Sequence, residues 1–308
     1  MIICAGEALI DMLPREGTGG EAMFLPVCGG SVFNTAIALG RLGAQAGLVS
    51  GVSTDMFGEQ LVAGLEASKV SPDLLIRSPR PTTLAFVRLT DGQAEYAFFD
   101  EGSAGRMIRV KDLPALPRAA KALFFGGISL AVKPCCDTYF SLMKRHSKSK
   151  LIMMDVNVRP DFIPDEAEYR ARTEAMLAHT DILKLSDEDL RWMFGGADPA
   201  AHAEELLAKG PKMICVTEGA KGVTAYLASG AHTVLAERVE VVDTVGAGDT
   251  FNAGVLAGLD RAGALSKKAV AEGLPKEVVI DALRLGVKAA AVTVQRAGAN
   301  PPWAGELA

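Results

Sequence analysis

Asp243-Thr244-Val245-Gly246-Ala247-Gly248-Asp249-Thr250-Phe251 follows a β-branched run from 239 to 242 and precedes an apolar segment of helical period. The pattern predicts a strand, a glycine turn and the start of a helix. Beyond the turn, Phe251, Val255, Leu256 and Leu259 recur at helical spacing, while Gly254 and Gly258 leave a narrow stripe where another backbone can come close. The glycines therefore fall at a helix N-terminus, where free N–H groups and the positive end of the helix dipole converge on an anion such as a phosphate in transfer. Asp249 is the carboxylate inside that cradle. It can take a proton from an attacking hydroxyl, and the dipole is expected to keep it ionised and weakly basic, which suits a loose transition state. A plainer role, complementing the helix dipole, competes with this one. Phe251 occupies the third glycine position of a dinucleotide fingerprint, and no G-x-x-x-x-G-K-[ST] run occurs, so neither nucleotide motif is present.

The 308 residues are compatible with two domains or with one large α/β domain carrying an appendage. With 49% hydrophobic and 22% charged residues the chain is of ordinary globular composition. A net charge of -5 without a Lys/Arg stripe argues against a nucleic-acid surface. The first seven residues lack a basic region, and no apolar run reaches the roughly 18 residues that span a bilayer. Cys4, Cys28, Cys135, Cys136 and Cys215 are odd in number and lack C-x-x-C spacing, which suggests reduced thiols in a cytoplasmic protein. The four His residues are scattered without ligand spacing.

A strand is expected from 2 to 13, ending near the polar Asp11, followed by a Gly-rich loop (Gly17, Gly19, Gly20). Gly29-Gly30-Ser31-Val32-Phe33-Asn34-Thr35-Ala36 then opens a helix, where Asn34 either caps locally or projects toward a polyol. A strand from 46 to 52 and a helix from 58 to 69 follow. Runs 82–90 and 93–100, joined by Asp91-Gly92, predict a hairpin carrying Tyr96, Phe98 and Phe99, either core-facing or a lid that excludes water. From 122 onward strand and helix alternate, predicting parallel βαβ units: strands at 122–128, 151–155, 182–185 and 213–217, helices at 135–144 and 166–179. Asp155-Val156-Asn157-Val158-Arg159-Pro160 stands at the carboxyl end of its strand, where open α/β sheets place ligand groups. Ser186 and Asp189 form a capping arrangement. The turn Glu218-Gly219-Ala220-Lys221-Gly222 brings bare backbone to the sheet rim, and a second hairpin closes at Ser229-Gly230. The Ala- and Val-rich run 278–296 suits a buried helix and a flat wall for an adenine ring.

Taken together, these stretches resemble the ribokinase-type (PfkB) carbohydrate kinases over nearly the whole chain, most specifically in 29–36 and 243–251. The resemblance implies a single Rossmann-like α/β domain over 1–308, with a mostly parallel sheet, helices on both faces, and a β lid formed by about 12–26 and 82–101. It makes Asp249 the catalytic base and the amides of Gly246, Ala247, Gly248 and Asp249 the anion hole. It places Asp11, Gly29, Gly30 and Asn34 at the sugar, with Phe98 and Arg159 beside it. It assigns Lys184, Ser186, Thr217, Gly219, Gly222 and Gly248 to ATP, Asp189 to Mg²⁺ through water, and Asp243 and Val245 to a monovalent cation, K⁺. Lids of this kind often pair two subunits, which implies a homodimer. Where many members read Asn-x-x-Glu this chain reads Ser186-x-x-Asp189, which keeps the charge and shortens its reach. The run Tyr-Ala-Phe-Phe-Asp-Glu with Arg106 looks like bacterial fructokinases. Asp100 and Glu101 after the aromatic strand are expected to repel an anionic sugar, while Arg159 cuts the other way, as a cation that could serve a sugar acid or a phosphate of ATP. Fructose phosphorylation is thus the expected activity. The alternatives are another sugar kinase such as one acting on 2-keto-3-deoxygluconate, a non-catalytic sugar-binding module, and a dehydrogenase, which Phe251 disfavours.

Overall fold

The computed structural model describes residues 1–90, 93–196 and 198–307, with side chains described outside 88–96. The expected Asp91-Gly92 turn lies outside the described residues. The chain opens with β1 (Ile2–Ala5), β2 (Leu9–Glu16), β3 (Ala22–Gly29) and α1 (Ser31–Arg41). It continues through β4 (Ala46–Val49), β5 (Gly51–Ser53), α2 (Met56–Ala67), β6 (Val70–Ser71), β7 (Ile76–Ser78), β8 (Leu84–Thr90) and β9 (Gln93–Phe99). The βα alternation follows: β10 (Ala122–Gly126), α3 (Cys135–His146), β11 (Leu151–Asp155), α4 (Glu166–Leu177), β12 (Ile182–Ser186), α5 (Asp187–Phe194), α6 (Pro199–Lys209) and β13 (Met213–Thr217). The hairpin β14 (Val223–Leu227) and β15 (Gly230–Val234) precedes α7 (Ala247–Arg261), α8 (Lys267–Glu272) and α9 (Lys276–Val294).

The large sheet runs β15-β14-β13-β12-β11-β10-β1-β4-β6 and is parallel except for the β14/β15 hairpin. From β1 the chain winds first to β4 and β6, then crosses to β10 on the other side, so the winding reverses at β1. Open α/β sheets collect ligands beyond the strands' carboxyl ends at such a point. Strands β1, β10, β11, β12 and β13 are apolar and buried, as expected where helices cover both faces. Two apolar clusters form the core, one including Phe33, Phe124, Phe251 and Leu283, the other Phe125, Tyr139, Met154 and Leu183. The smaller sheet has the order β3-β2-β8-β9.

Three expected strands are corrected. The strand from 2 to 13 is two strands in different sheets, because the chain turns away at Gly6-Glu7-Ala8, where a Cβ on Gly6 would meet Val32 Cγ2 at 2.4 Å and the Glu7 carbonyl accepts the Phe33 N–H. The strand from 46 to 52 breaks at Ser50, and Gly51 leaves the large sheet, its Cα passing so close to Ala104 that a Cβ would stand 2.1 Å from that carbonyl oxygen. Residues 239–242 form no strand: Val241 and Val242 are exposed, and the N–H groups of Val242 and Asp243 bond to the Val294 carbonyl at the end of α9. A helix end with unsatisfied carbonyls here takes the place of a neighbouring strand. The Gly-rich loop is a hairpin turn between β2 and β3, so the smaller sheet gains a strand that its sequence does not announce. Helices α6 and α8 were also missed.

The expected small-residue stripe does bring backbones together. A Cβ on Gly254 would stand 2.4 Å from Gly286 Cα, and one on Gly258 2.7 Å from Ala282 Cα, so α7 lies directly on α9. Gly254→Val should therefore destabilise the fold by about 1–3 kcal/mol through overpacking against backbone, read as a lower urea midpoint with an unchanged m-value.

Candidate active site

Two cavities meet at the turn before α7. The first, of about 290 Å³, is lined by Glu7, Asp11, Gly30, Ser31, Asn34, Phe98, Gly127, Asp155, Asn157, Arg159, Lys184 and the 244–249 turn. The second, of about 440 Å³, lies over α9, with Thr217, Gly219, Gly222, Phe251, Val287, Ala291 and Val294 among its walls. Thr244 and Gly248 belong to both.

Asp249 is only 8% exposed. Its Oδ1 accepts the Ser31 hydroxyl at 2.8 Å and its Oδ2 the Asn34 amide at 2.9 Å, so the first turn of α1 fixes the carboxylate carried by the first turn of α7. Burial pushes its carboxyl up to about 6 against the pull of those two hydrogen bonds. The expectation of a weak base is thus corrected, because desolvation outweighs the hydrogen bonds that favour the ionised form. Gly246 takes φ +78, and a Cβ there would strike Ala299, so the turn requires glycine. The Ala247 N–H already donates to the Thr244 carbonyl at 3.3 Å, and the first helical bond is Thr250 N–H to Gly246 at 2.8 Å. The amides of Gly248 and Asp249 precede that first bond and remain available to an anion.

Asp11 reaches the same cavity from β2. Gly29 makes room for it: a Cβ there would fall 2.0 Å from Asp11 Oδ2. Burial, and then the Asp249 charge, push the Asp11 carboxyl up to about 6. Gly30, at φ +100, is the N-cap of α1. Phe98 packs edge-on against Phe162 at 4.7 Å, joining the smaller sheet to the segment after β11. Arg159 lines the same cavity, and Asn157 beside it adopts φ +42.

Several expected positions differ. Lys184 faces the first cavity rather than the second: 4% exposed, its Nζ lies 3.1 Å from Asp155 Oδ2 and 3.3 Å from where a Gly248 Cβ would stand. Burial pulls its pKa down, but Asp155 and then Asp189 outweigh that and raise it, so the amine is charged. Ser186 and Asp189 form a complete capping box at the start of α5, and Asp189 Oδ1 also accepts the Val158 N–H at 2.8 Å. Both Asp189 oxygens are thus engaged by protein, and the residue lines neither cavity. Asp243 accepts the N–H groups of Val245 at 3.0 Å and Gly298 at 2.8 Å, which fixes its carboxylate across the loop.

Asp100 is corrected as a selector. It is buried, and its Oδ1 accepts the hydroxyls of Thr83 at 2.7 Å and Ser103 at 2.9 Å, away from the cavity, while Glu101 points to solvent. Asp155, fully buried, accepts the Asn252 amide at 2.7 Å. The sequence reading gave no role to Glu7, Ser31 or Asn252. Ser31 lies inside a motif already singled out, and Asn252 directly follows the other, as a polar residue on the face that carries Val255, Leu256 and Leu259.

The pfkB family carbohydrate kinase pattern matches residues 1–304. A fructokinase from Rhizobium leguminosarum bv. trifolii is 51% identical over 271 residues, covering 88% of this chain and 83% of that protein. A probable fructokinase-4 of Arabidopsis thaliana is 31% identical over 98% of this chain and 93% of its own length. The crystal structure of a fructokinase from Xylella fastidiosa with bound ATP superimposes with a TM-score of 0.90 at 28% identity, over 99% of this chain and 96% of that one. The chain belongs to the pfkB family of carbohydrate kinases. It is an ATP-dependent sugar kinase with the ribokinase-like fold.

The Asp11 shift gives a stability prediction. Its pKa in the fold, about 6, lies above the ordinary 3.8, so the folded state holds the proton more tightly and stability falls as pH rises from about 4 to 6. Asp11→Asn escapes that loss. Its Tm should exceed that of the parent by a few degrees at pH 7.5, and the difference should vanish below pH 4.

Proposed function

We propose that the chain is a fructokinase in which Asp249 takes the proton from the primary 6-hydroxyl of fructose as the terminal phosphoryl group of ATP passes to that oxygen, giving fructose 6-phosphate and ADP. The observation that carries this reading is the place of Asp249: a buried carboxylate held on both oxygens, beside the turn where the two cavities meet. The sugar fits the polar cavity with Asp11 and Asn34, and ATP fits the apolar one, where Val287, Ala290, Ala291 and Val294 offer α9 as a wall for the base. The Gly248 and Asp249 amides and the Lys184 ammonium stand where negative charge moves between them.

The charges of the first cavity favour a neutral sugar. Glu7, Asp11, Asp155 and Asp249 line it against Lys184 and Arg159, so carboxylates outnumber cations and a sugar acid would meet net repulsion. Arg159 is the one feature that favours 2-keto-3-deoxygluconate. Mg²⁺ fits as a companion of the phosphates: among the described residues no group of three His, Cys, Asp or Glu could hold a metal, and the Asp189 oxygens are engaged. When bound, it neutralises charge that phosphoryl transfer develops. The five cysteines are free, which suits the cytoplasm, and among the described residues no helix is long and apolar enough to cross a membrane.

The smaller sheet is the lid in this reading, and it carries an aromatic row, Phe24, Phe86 and Phe99, with ring centroids 5.0 and 5.3 Å apart. Phe99 is 60% exposed, with Met23 and Leu25 near it in exposure, and such a patch suits pairing with a second copy. Sedimentation equilibrium should show a dimer that Phe99→Glu converts to monomer.

The decisive assay is ADP release from MgATP with fructose, ribose or 2-keto-3-deoxygluconate as acceptor. Fructose should give the highest kcat/KM, and Asp249→Ala should lose about 10²–10⁴-fold in kcat with fructose affinity retained. In the parent, kcat/KM should fall as pH drops through about 6, where the carboxyl of Asp249 takes up its proton. Preference for the acid would assign selection to Arg159, and full activity of the Ala variant would remove Asp249 as the base.

A further inference from the structure

Glu7 is a buried acid of the sugar cavity that the reaction above leaves without a task. It is 8% exposed, and no ion pair to it is found among the described residues. Its Oε1 accepts the Val32 N–H and its Oε2 the Ser129 N–H, each at 3.3 Å, and its own carbonyl accepts the Phe33 N–H at 3.2 Å. The carboxylate thus links the first turn of α1 to the 3₁₀ turn Ile128–Leu130 that follows β10. Two glycines are shaped around it. A Cβ on Gly127, at φ +67, would stand 2.0 Å from Glu7 Oε1, and one on Gly30, at φ +100, 3.1 Å from Glu7 Cγ. Both glycines line the cavity.

The residues on either side of Val32 and Phe33 are Ser31 and Asn34, the two that grip Asp249. A shift of that helix turn would move both donors at once. We propose that Glu7 is a positioning residue for phosphoryl transfer, clamping the first turn of α1 to the β10 turn and so setting the place of the Asp249 carboxylate. The inference rests on the reading of Asp249 as base. Burial raises the pKa of Glu7, opposed by its hydrogen bonds. Cys135 and Tyr139 of α3 are the titratable groups that feel its charge from behind, and Asp11 and Asp249 share its cavity in front.

Geometry and charge make opposite predictions, which gives the test. Glu7→Gln keeps the shape but presents an NH₂ to one of two N–H donors, while Glu7→Asp keeps the charge but is too short to reach both. If Glu7 positions Asp249, both variants lose roughly ten- to hundredfold in kcat with fructose Kd changed less than about threefold. The acid limb of kcat/KM then moves to higher pH, because Asp249 loses donors that hold its ionised form. If Glu7 acts only through its charge, Glu7→Asp stays near the parent and the limb of Glu7→Gln moves to lower pH, which overturns the proposal. Unchanged kcat in either variant with a lowered Tm also overturns it, leaving a structural role. Fructose binding by calorimetry establishes that each variant is folded, and Gly127→Ala, which would push the carboxylate aside without altering its charge, should reproduce the kcat loss. Asp249→Asn is run in parallel. If that variant stays active the base assignment fails, whereas an inactive Asp249→Asn beside fully active Glu7 variants defeats this inference alone.

Discussion

The contact on which the rest of the structure depends is the meeting of two helix N-termini at one carboxylate. Asp249 comes from the first turn of α7, and Ser31 and Asn34 from the first turn of α1, more than two hundred residues earlier. The Thr35 hydroxyl extends the seam by donating to the Asp249 carbonyl at 3.3 Å. α7 is pressed onto α9 through Gly254 and Gly258, and Phe251 packs against Gly286, where a Cβ would meet its ring at 2.8 Å. Close-packed backbone transmits small shifts instead of absorbing them, so the glycine turn before α7 is held as firmly as the core beneath it.

Holding a charge there has a thermodynamic cost. Asp249 and Asp11 are both pushed toward 6 chiefly by burial, and the residues around them could be arranged more stably with neutral side chains. In the proposed role of base, a carboxyl near 6 would be ionised at neutral pH and more avid for a proton than an exposed aspartate. Under the proposed function, stability is given up at the same residues that are assigned the chemistry.

The motifs around 29–36 and 243–251 were legible because they combine two local signals, glycines that permit unusual backbone and a change of hydrophobic period. The βα alternation after 122 was legible for the same reason. What the sequence hid were the places where the chain leaves a sheet. Residues 2–13 read as continuous strand because Leu9 and Ile10 are as apolar as Ile2 and Ile3, yet the two pieces lie in different sheets, split where Glu7 turns toward α1. Residues 239–242 are β-branched and still make no strand, since their partner is the end of a helix. Charge was hidden in a similar way. Asp100 looked like a selector by its proximity to aromatic residues in sequence, but its carboxylate joins the end of β9 to Thr83 and Ser103.

That placement of Asp100 bears on how the smaller sheet works. Thr83 immediately precedes β8 and Asp100 immediately follows β9, so the network with Ser103 closes the root of the sheet where both strands leave the body. On the other edge, β2 is continuous with the Gly6-Glu7-Ala8 bend and β3 runs straight into the glycines before α1. Through β2 and β3 the sheet is therefore tied to the bend and to the first turn of α1, which holds Asp249. Asp11 rides on β2, directly beyond that bend, and Phe98 on β9 lines the same cavity. In the proposed reaction, a sugar hydroxyl bound by Asp11 and a proton taken by Asp249 would in this way be held to one frame, which is what in-line transfer between two separately bound substrates requires.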